Sequence, residues 1–195
     1  MPRRNPTASR KRAHLLQTAW RLFYRDGYRS VGIDTLLGEA NVAKMTLYNH
    51  FSSKDDLIVA VINKRSEEIL AGLVRAVKAV GKSPKRRLLS VFDWLEALFR
   101  SRDFSGCAFI RAISEYPDTH HPVHRAAWTH KRAVREMLVG LAREAGAKNP
   151  AALADNLRLL IDGALVAAHA TGKTTPARAA RTAAGDLLKA ARSSR

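Results

Sequence analysis

Residues 32–54 read GIDTLLGEANVAKMTLYNHFSSK, and their spacing decides the fold. Ile33, Leu36 and Leu37 fall on one face of a short helix that ends at Ala40, and Asn41 supplies a residue that tolerates the left-handed conformation of a sharp turn. Val42, Leu47 and Phe51 then form the apolar side of a second short helix, whose opposite side carries Lys44, Met45, Thr46, Tyr48, Asn49 and His50. Two helices of about two turns joined by a tight turn make a helix-turn-helix over 33–51, the geometry that lays its second helix in the DNA major groove. An ordinary helical hairpin has the same spacing, but its wet face usually mixes both charge signs. Here that face has no carboxylate. Ser53 follows as a helix N-cap, with Asp56 three residues on in capping-box register.

Composition agrees. The 195 residues carry 34 Lys and Arg against 17 Asp and Glu, a formal net charge of +17, which points to a polyanionic partner. No apolar run of about 18 residues and no leader-like start favours a membrane. The cationic excess continues beyond the helix-turn-helix: residues 1–65 hold 12 basic and 5 acidic side chains, residues 66–195 hold 22 and 12. The pattern predicts a generally basic surface rather than a second binding site. The single cysteine, Cys107, excludes an intrachain disulfide and fits a reducing, cytoplasmic setting; its apolar neighbours predict an inert thiol.

Nine helical patterns and no strand alternation run along the chain, which predicts an all-α protein. Residues 1–9 read as a basic disordered arm, 10–55 as a three-helix DNA-binding domain, and 56–195 as a helical sensing and dimerisation domain. A helix from Arg10 closes at Gly27, and one from Ser53 to about Val80, near forty ångströms at 1.5 Å per residue, is long enough to join two domains. Ser83-Pro84, Asn149-Pro150 and Thr175-Pro176 open three later helices; a shorter one starts near Phe104, and another runs from Pro122 to Ala145. His120, His121 and His124 stand near Glu115 and Asp118, but they straddle Pro117 and Pro122 and lack paired thiolates. A solvated helix start is the better reading than a metal site. No nucleophile–base arrangement emerges, so no catalytic residue, metal or cofactor is expected.

The stretches LLQTAWRLFYRDGY (15–28) and GIDTLLGEANVAKMTLYNHFSSKDDLI (32–58) resemble the N-terminal region of the TetR family of bacterial transcriptional regulators, through Gly27-Tyr28, Thr46–Phe51 and Ser53-Lys54. Two positions depart from the family pattern: Asn41 stands where Gly is usual, and Ala43 stands where a Ser or Thr cap is usual. The resemblance implies a homodimeric regulator, most often a repressor, released from a palindromic operator on double-stranded DNA by a small-molecule effector. It implies phosphate contacts for Thr46, Tyr48, His50 and Lys54, with Lys44 and Met45 facing bases and Asn49 facing adenine or only the backbone. It further implies that the last two helices pair across a two-fold axis, here through Leu157, Leu160, Ile161, Ala164, Leu165 and Ala168 with Ala180, Ala183, Ala184 and Leu187. Trp94, Phe99, Ile110, Trp128 and Met137 are the candidate lining of an effector pocket. A constitutive, basic architectural DNA binder without ligand switching is the alternative.

Overall fold

A computed structural model describes the backbone of residues 6–193 and the side chains of residues 10–192. Among the described residues the chain is all helical, with nine helices and no strand: α1 Pro6–Asp26, α2 Ile33–Ala40, α3 Lys44–Tyr48, α4 Lys54–Ala79, α5 Pro84–Phe99, α6 Ala108–Glu115, α7 Pro122–Glu144, α8 Pro150–Thr171 and α9 Thr175–Ser193.

Local chemistry fixes most of these limits. Ser83 caps α5, its hydroxyl accepting from the Arg86 N–H at 3.5 Å with Pro84 in the first turn. The Asn149 side chain accepts from the Ala152 N–H at 3.1 Å and caps α8, again with proline next. Ser53 caps α4 by accepting from the Asp56 N–H at 3.0 Å. Each such cap contributes about 1 kcal/mol by satisfying an N–H that the helix leaves open.

Three expected limits move. The first helix starts at Pro6 rather than Arg10, because proline fits an opening helical turn, where the N–H it lacks would have no partner. Residues 6–9, expected as part of a disordered arm, are helical; residues 1–5, with Arg3 and Arg4, lie outside the described residues. The second helix of the DNA-reading pair is five residues long, with Asn49 and His50 beyond its end. The sixth starts at Ala108, not near Phe104, since Gly106 turns the chain at φ +84° against the His169 ring, where a Cβ would sit 3.1 Å from the imidazole.

The chain separates into two packing units. One comprises residues 1–66 and 108–129, the other residues 67–107 and 130–195, so that α4 crosses the division between Ser66 and Glu67. In the first unit Leu15, Ala19, Leu22, Phe23, Tyr28, Leu36, Leu47, Leu57 and Ile58 are buried. Helix α6 belongs to this same core: Phe109 and Ala112 are buried, the Tyr28 hydroxyl donates to the Ala108 carbonyl at 3.2 Å, and Arg111 donates to the Tyr24 carbonyl at 2.7 Å. The second unit is built on Leu88, Phe92, Leu95, Leu138, Leu157 and Leu188. Ion pairs tie α7 to α8 there, Lys131 to Asp162 at 2.5 Å and Arg135 to Asp155 at 2.6 Å. No helix among the described residues is long and apolar enough to cross a membrane.

Candidate nucleic-acid interface

The turn between α2 and α3 is set by backbone bonding. Asn41 takes the left-handed conformation, φ 48° and ψ 52°; its N–H donates to the Gly38 carbonyl at 3.1 Å and the Val42 N–H to Leu37 at 3.2 Å. This pair of bonds is a Schellman closure, which satisfies carbonyls at the helix end and reverses the chain. Asn41 is the single non-glycine residue with positive φ among those described, so the chain tolerates Asn where glycine would be unstrained.

Helix α3 is held from below. Leu47 is fully buried and Phe51 nearly so, and the Phe51 N–H donates to Leu47 at 2.9 Å. With those two anchored, the opposite side is turned out: Lys44 and Asn49 are exposed, Met45 is 70 % exposed and Tyr48 43 %. Thr46 and His50 are half-buried at the flanks. An exposed Met and Tyr cost apolar hydration, and their presence on a face with no carboxylate marks a contact surface. Ala43 provides no side-chain cap, leaving amide N–H groups open at the start of α3.

Cations lie beside this face. Arg12 of α1 stands over the Phe51 ring, 5.2 Å from its centroid. Lys54, at the start of α4, is half-buried and donates to the Arg29 carbonyl at 3.0 Å; burial lowers its ammonium below the usual lysine range. Lys54 therefore also braces the loop between α1 and α2, a role not evident from its spacing. That loop is held from its other side by α6: the Arg29 N–H donates to Glu115 at 2.7 Å and the Arg29 guanidinium covers Tyr116, 4.9 Å from the ring centroid. The Tyr116 hydroxyl donates to Asp55 at 3.4 Å, and burial pushes it up to about 12. Nothing in the sequence marks Glu115 or Tyr116 for this, because their partners are about 60 to 86 residues away.

Two of the three clustered histidines hold structural contacts of their own. His124 donates from Nδ1 to the Tyr116 carbonyl at 2.8 Å, while His121 accepts from the Val123 N–H at 3.3 Å and turns Nε2 to Asp55 at 3.4 Å. His120 is exposed. Among the described residues no cluster has the makings of a metal site.

On α8 and α9 the expected pairing residues divide between the core of their own chain and its surface. Leu157, Ile161, Ala164, Leu165 and Ala168, with Ala180 and Ala184, are buried in the core of their own chain, while Leu160, Ala183 and Leu187 are half-buried. Helix α8 is apolar on two sides, and periodicity alone does not say which side the same chain covers. The uncovered side displays Leu159 at 62 % and Val166 at 56 % exposure. Beside it an apolar groove of about 560 Å³ is lined by the expected Leu160, Ala164, Ala180 and Ala183 together with Gly163 and Ala167.

The expected pocket residues are likewise divided. Phe99 is buried and Trp94 and Met137 pack partly buried against the core of the second unit. Ile110 and Trp128 belong to the first unit, and Trp128 is 47 % exposed on α7. Cys107 is half-buried.

Comparison with known proteins matches two family models. Residues 15–61 match the bacterial regulatory proteins of the tetR family, and residues 84–184 match the tetracyclin repressor-like C-terminal domain. A crystal structure of a TetR-family transcriptional regulator from Streptomyces coelicolor is 35 % identical, with a TM-score of 0.89 over 94 % of this chain and 97 % of that one. The transcriptional activator FasR of Mycolicibacterium smegmatis is 33 % identical over 89 residues; the match covers 44 % of this chain and 41 % of that protein's length. The transcriptional repressor NemR of Escherichia coli is 26 % identical over 139 residues, 71 % of this chain and 69 % of that one. The chain belongs to the TetR family: it is a transcriptional regulator with a helix-turn-helix DNA-binding domain.

Proposed function

We propose that the protein is a homodimeric repressor that holds a palindromic operator with α3 of each protomer and releases it when a small molecule binds the helical domain. The observation that carries the DNA-reading part is the outward face of α3: Lys44, Met45, Tyr48 and Asn49 stand exposed, with no carboxylate among them, over the buried Leu47 and Phe51. Lys44 donates to guanine O6 or N7, Met45 packs on a thymine methyl, and Asn49 faces adenine or backbone. Thr46, Tyr48, His50 and the remaining donors of Lys54 take phosphates and set register. A five-residue helix touches too few base pairs for useful selectivity, so two copies at half-sites one helical turn apart are required.

The uncovered apolar side of α8 and α9 supports the dimer. Leu159 and Val166 beside a groove of small residues let two helix pairs approach closely as a four-helix bundle. Residues 10–55 serve as the DNA-binding domain and 56–195 as the sensing and dimerising one. Trp94, Phe99 and Met137, within the second unit, offer an apolar and aromatic site for the effector. The single cysteine and the absence, among the described residues, of a helix suited to cross a membrane support a cytoplasmic location.

Selection of bound sequences from random duplex DNA tests this reading. A palindrome with half-sites about 10 base pairs apart is the expected result. Equal affinity for any duplex would instead favour a constitutive architectural binder, the reading that the net charge of +17 supports on its own. For the switch, a bound effector must prefer the DNA-free conformation, since equal affinity for both shifts nothing. A coupling of about 1–3 kcal/mol lowers operator affinity roughly 5–150-fold, and linkage requires the same factor in effector affinity with and without operator.

A further inference from the structure

We propose that the helix ends gathered at one end of the second unit form a second, sequence-independent contact for duplex DNA, made through phosphates. This inference rests on DNA being the partner, as argued above. In the sequence the cations involved are scattered between Lys78 and Arg192. The fold collects them. Residues 80–83 join the end of α4 directly to the start of α5, and an ion pair of Arg87 with Glu144 brings in the last turn of α7. The Lys148 N–H donates to the Ala191 carbonyl at 3.1 Å, which attaches the α7–α8 turn to the end of α9.

Lys78, Lys82, Lys85 and Arg86 stand exposed on the first pair of helix ends. Arg143, Lys148 and Arg192 stand exposed on the others. Glu144 is the one carboxylate of the described residues in these terminal turns, and Arg87 answers it. Elsewhere on the same unit most cations have a carboxylate within reach: Arg100 with Glu96, Arg135 with Asp155, Arg181 with Asp93, Lys189 with Asp186. Two helix starts and three helix ends meet here, so backbone dipoles largely offset one another and the side chains set the field.

The chemistry favours a duplex. Cations spread over five helix ends match a polymer bearing one charge per about 1.7 Å of axis, where each neutralised phosphate releases condensed counterions. A membrane surface would reward inserted apolar side chains, and none of the exposed large apolar residues lies in these turns.

The test uses the full-length chain and two triple variants. Lys82→Gln/Lys85→Gln/Arg86→Gln removes three patch charges; Arg102→Gln/Arg132→Gln/Lys173→Gln removes three exposed charges of the same unit outside it. Affinity for a long random-sequence duplex is titrated against salt from about 50 to 200 mM. The patch variant is expected to flatten the log–log salt slope by about 2.7, at roughly 0.9 per phosphate contact, so that its loss of affinity is roughly 40-fold greater at 50 mM than at 200 mM, while it keeps its ratio of operator to random affinity. The control variant should change the slope by less than one. Equal effects of both variants would reduce the patch to net charge and overturn the proposal. An unchanged duplex slope with weakened binding to phosphatidylglycerol vesicles would overturn it in favour of a lipid surface. Wild type lacking operator preference would defeat the proposed function instead, leaving the patch to be judged on the slope alone.

Discussion

The backbone N–H of Arg29 donates to the Glu115 carboxylate at 2.7 Å, joining the loop ahead of α2 to the last residue of α6 across 86 positions of sequence. Gly27 packs against the same carboxylate, at φ +96°, where a Cβ would come within 3.0 Å of Glu115 Oε1. A side chain at 27 would therefore meet both backbone strain and the carboxylate. Glu115→Ala should lower the stability of the helix-turn-helix unit by about 1–3 kcal/mol, because it leaves a charge-assisted bond unmade. Operator affinity should fall with it and Glu115→Gln should recover part of both. Chemical denaturation and operator titration decide the point; an Ala variant equal to wild type in both would remove α6 from the support of the reading head.

Tyr48→Ala is expected to weaken specific and random DNA binding by similar factors, because a phosphate contact carries no sequence information. Lys44→Ala should instead relax preference at one base pair per half-site, by about 1–3 kcal/mol. Competition titrations against a panel of altered operators separate the two. A change in base preference with the Tyr48 variant alone would reverse these roles.

Two substitutions in the α2–α3 turn should stabilise. Asn41→Gly relieves a left-handed backbone at φ 48°, a gain of up to about 1 kcal/mol that the greater freedom of the unfolded glycine offsets only in part. Ala43→Ser restores the cap that α3 lacks, worth about 1 kcal/mol. Thermal melts of both variants, with Asn41→Val as a destabilised control, provide the measurement. An Ala43→Ser variant that melts below wild type would show that the start of α3 is not limited by its cap.

Leu159→Glu or Val166→Glu should give a monomer that is still folded, since both side chains stand outside the core of their own chain and a carboxylate there costs several kcal/mol only when a second protomer covers it. Leu157→Glu, fully buried within the chain, should unfold the domain instead. Sedimentation and circular dichroism distinguish these outcomes. Dimers that persist in both surface variants would place the two-fold contact elsewhere.

His130, 5 % exposed, is lowered to about 3, first by burial and then by the neighbouring Lys131. It stays neutral in the folded chain while the unfolded chain binds a proton below about 6.5. The unfolded state thus holds more protons between pH 6.5 and 3, and stability falls as pH falls through that window. From pH 6.5 to 4 the loss from this group is about 3 kcal/mol. His130→Phe should flatten that part of the profile, measured by denaturant unfolding at each pH; an unchanged acid limb would assign the loss to other groups.

Much of the architecture was legible because its determinants are local. Ser83-Pro84 and Asn149-Pro150 open helices through bonds to residues three along, Gly81 and Gly146 end them with positive φ, and the spacing of Leu47 and Phe51 decides which side of α3 is free. Helix starts with weaker signals shifted: Pro6 extended α1 into the supposed arm, and the contact of Gly106 with His169 delayed α6.

By itself, then, the sequence determined an all-helical chain with a short DNA-reading helix and the family it belongs to, since capping, turn conformation and apolar periodicity act over a few residues. The tertiary structure decided three things that depend on distant partners. It showed which of the two apolar sides of α8 its own chain buries, turning Leu157 inward and Leu159 outward. It brought Lys54 to the carbonyl of Arg29 and Glu115 to its N–H. It gathered the cations from Lys78 to Arg192 at one end of the second unit. Packing and charge proximity are properties of pairs, and a single line of residues does not contain the pairing.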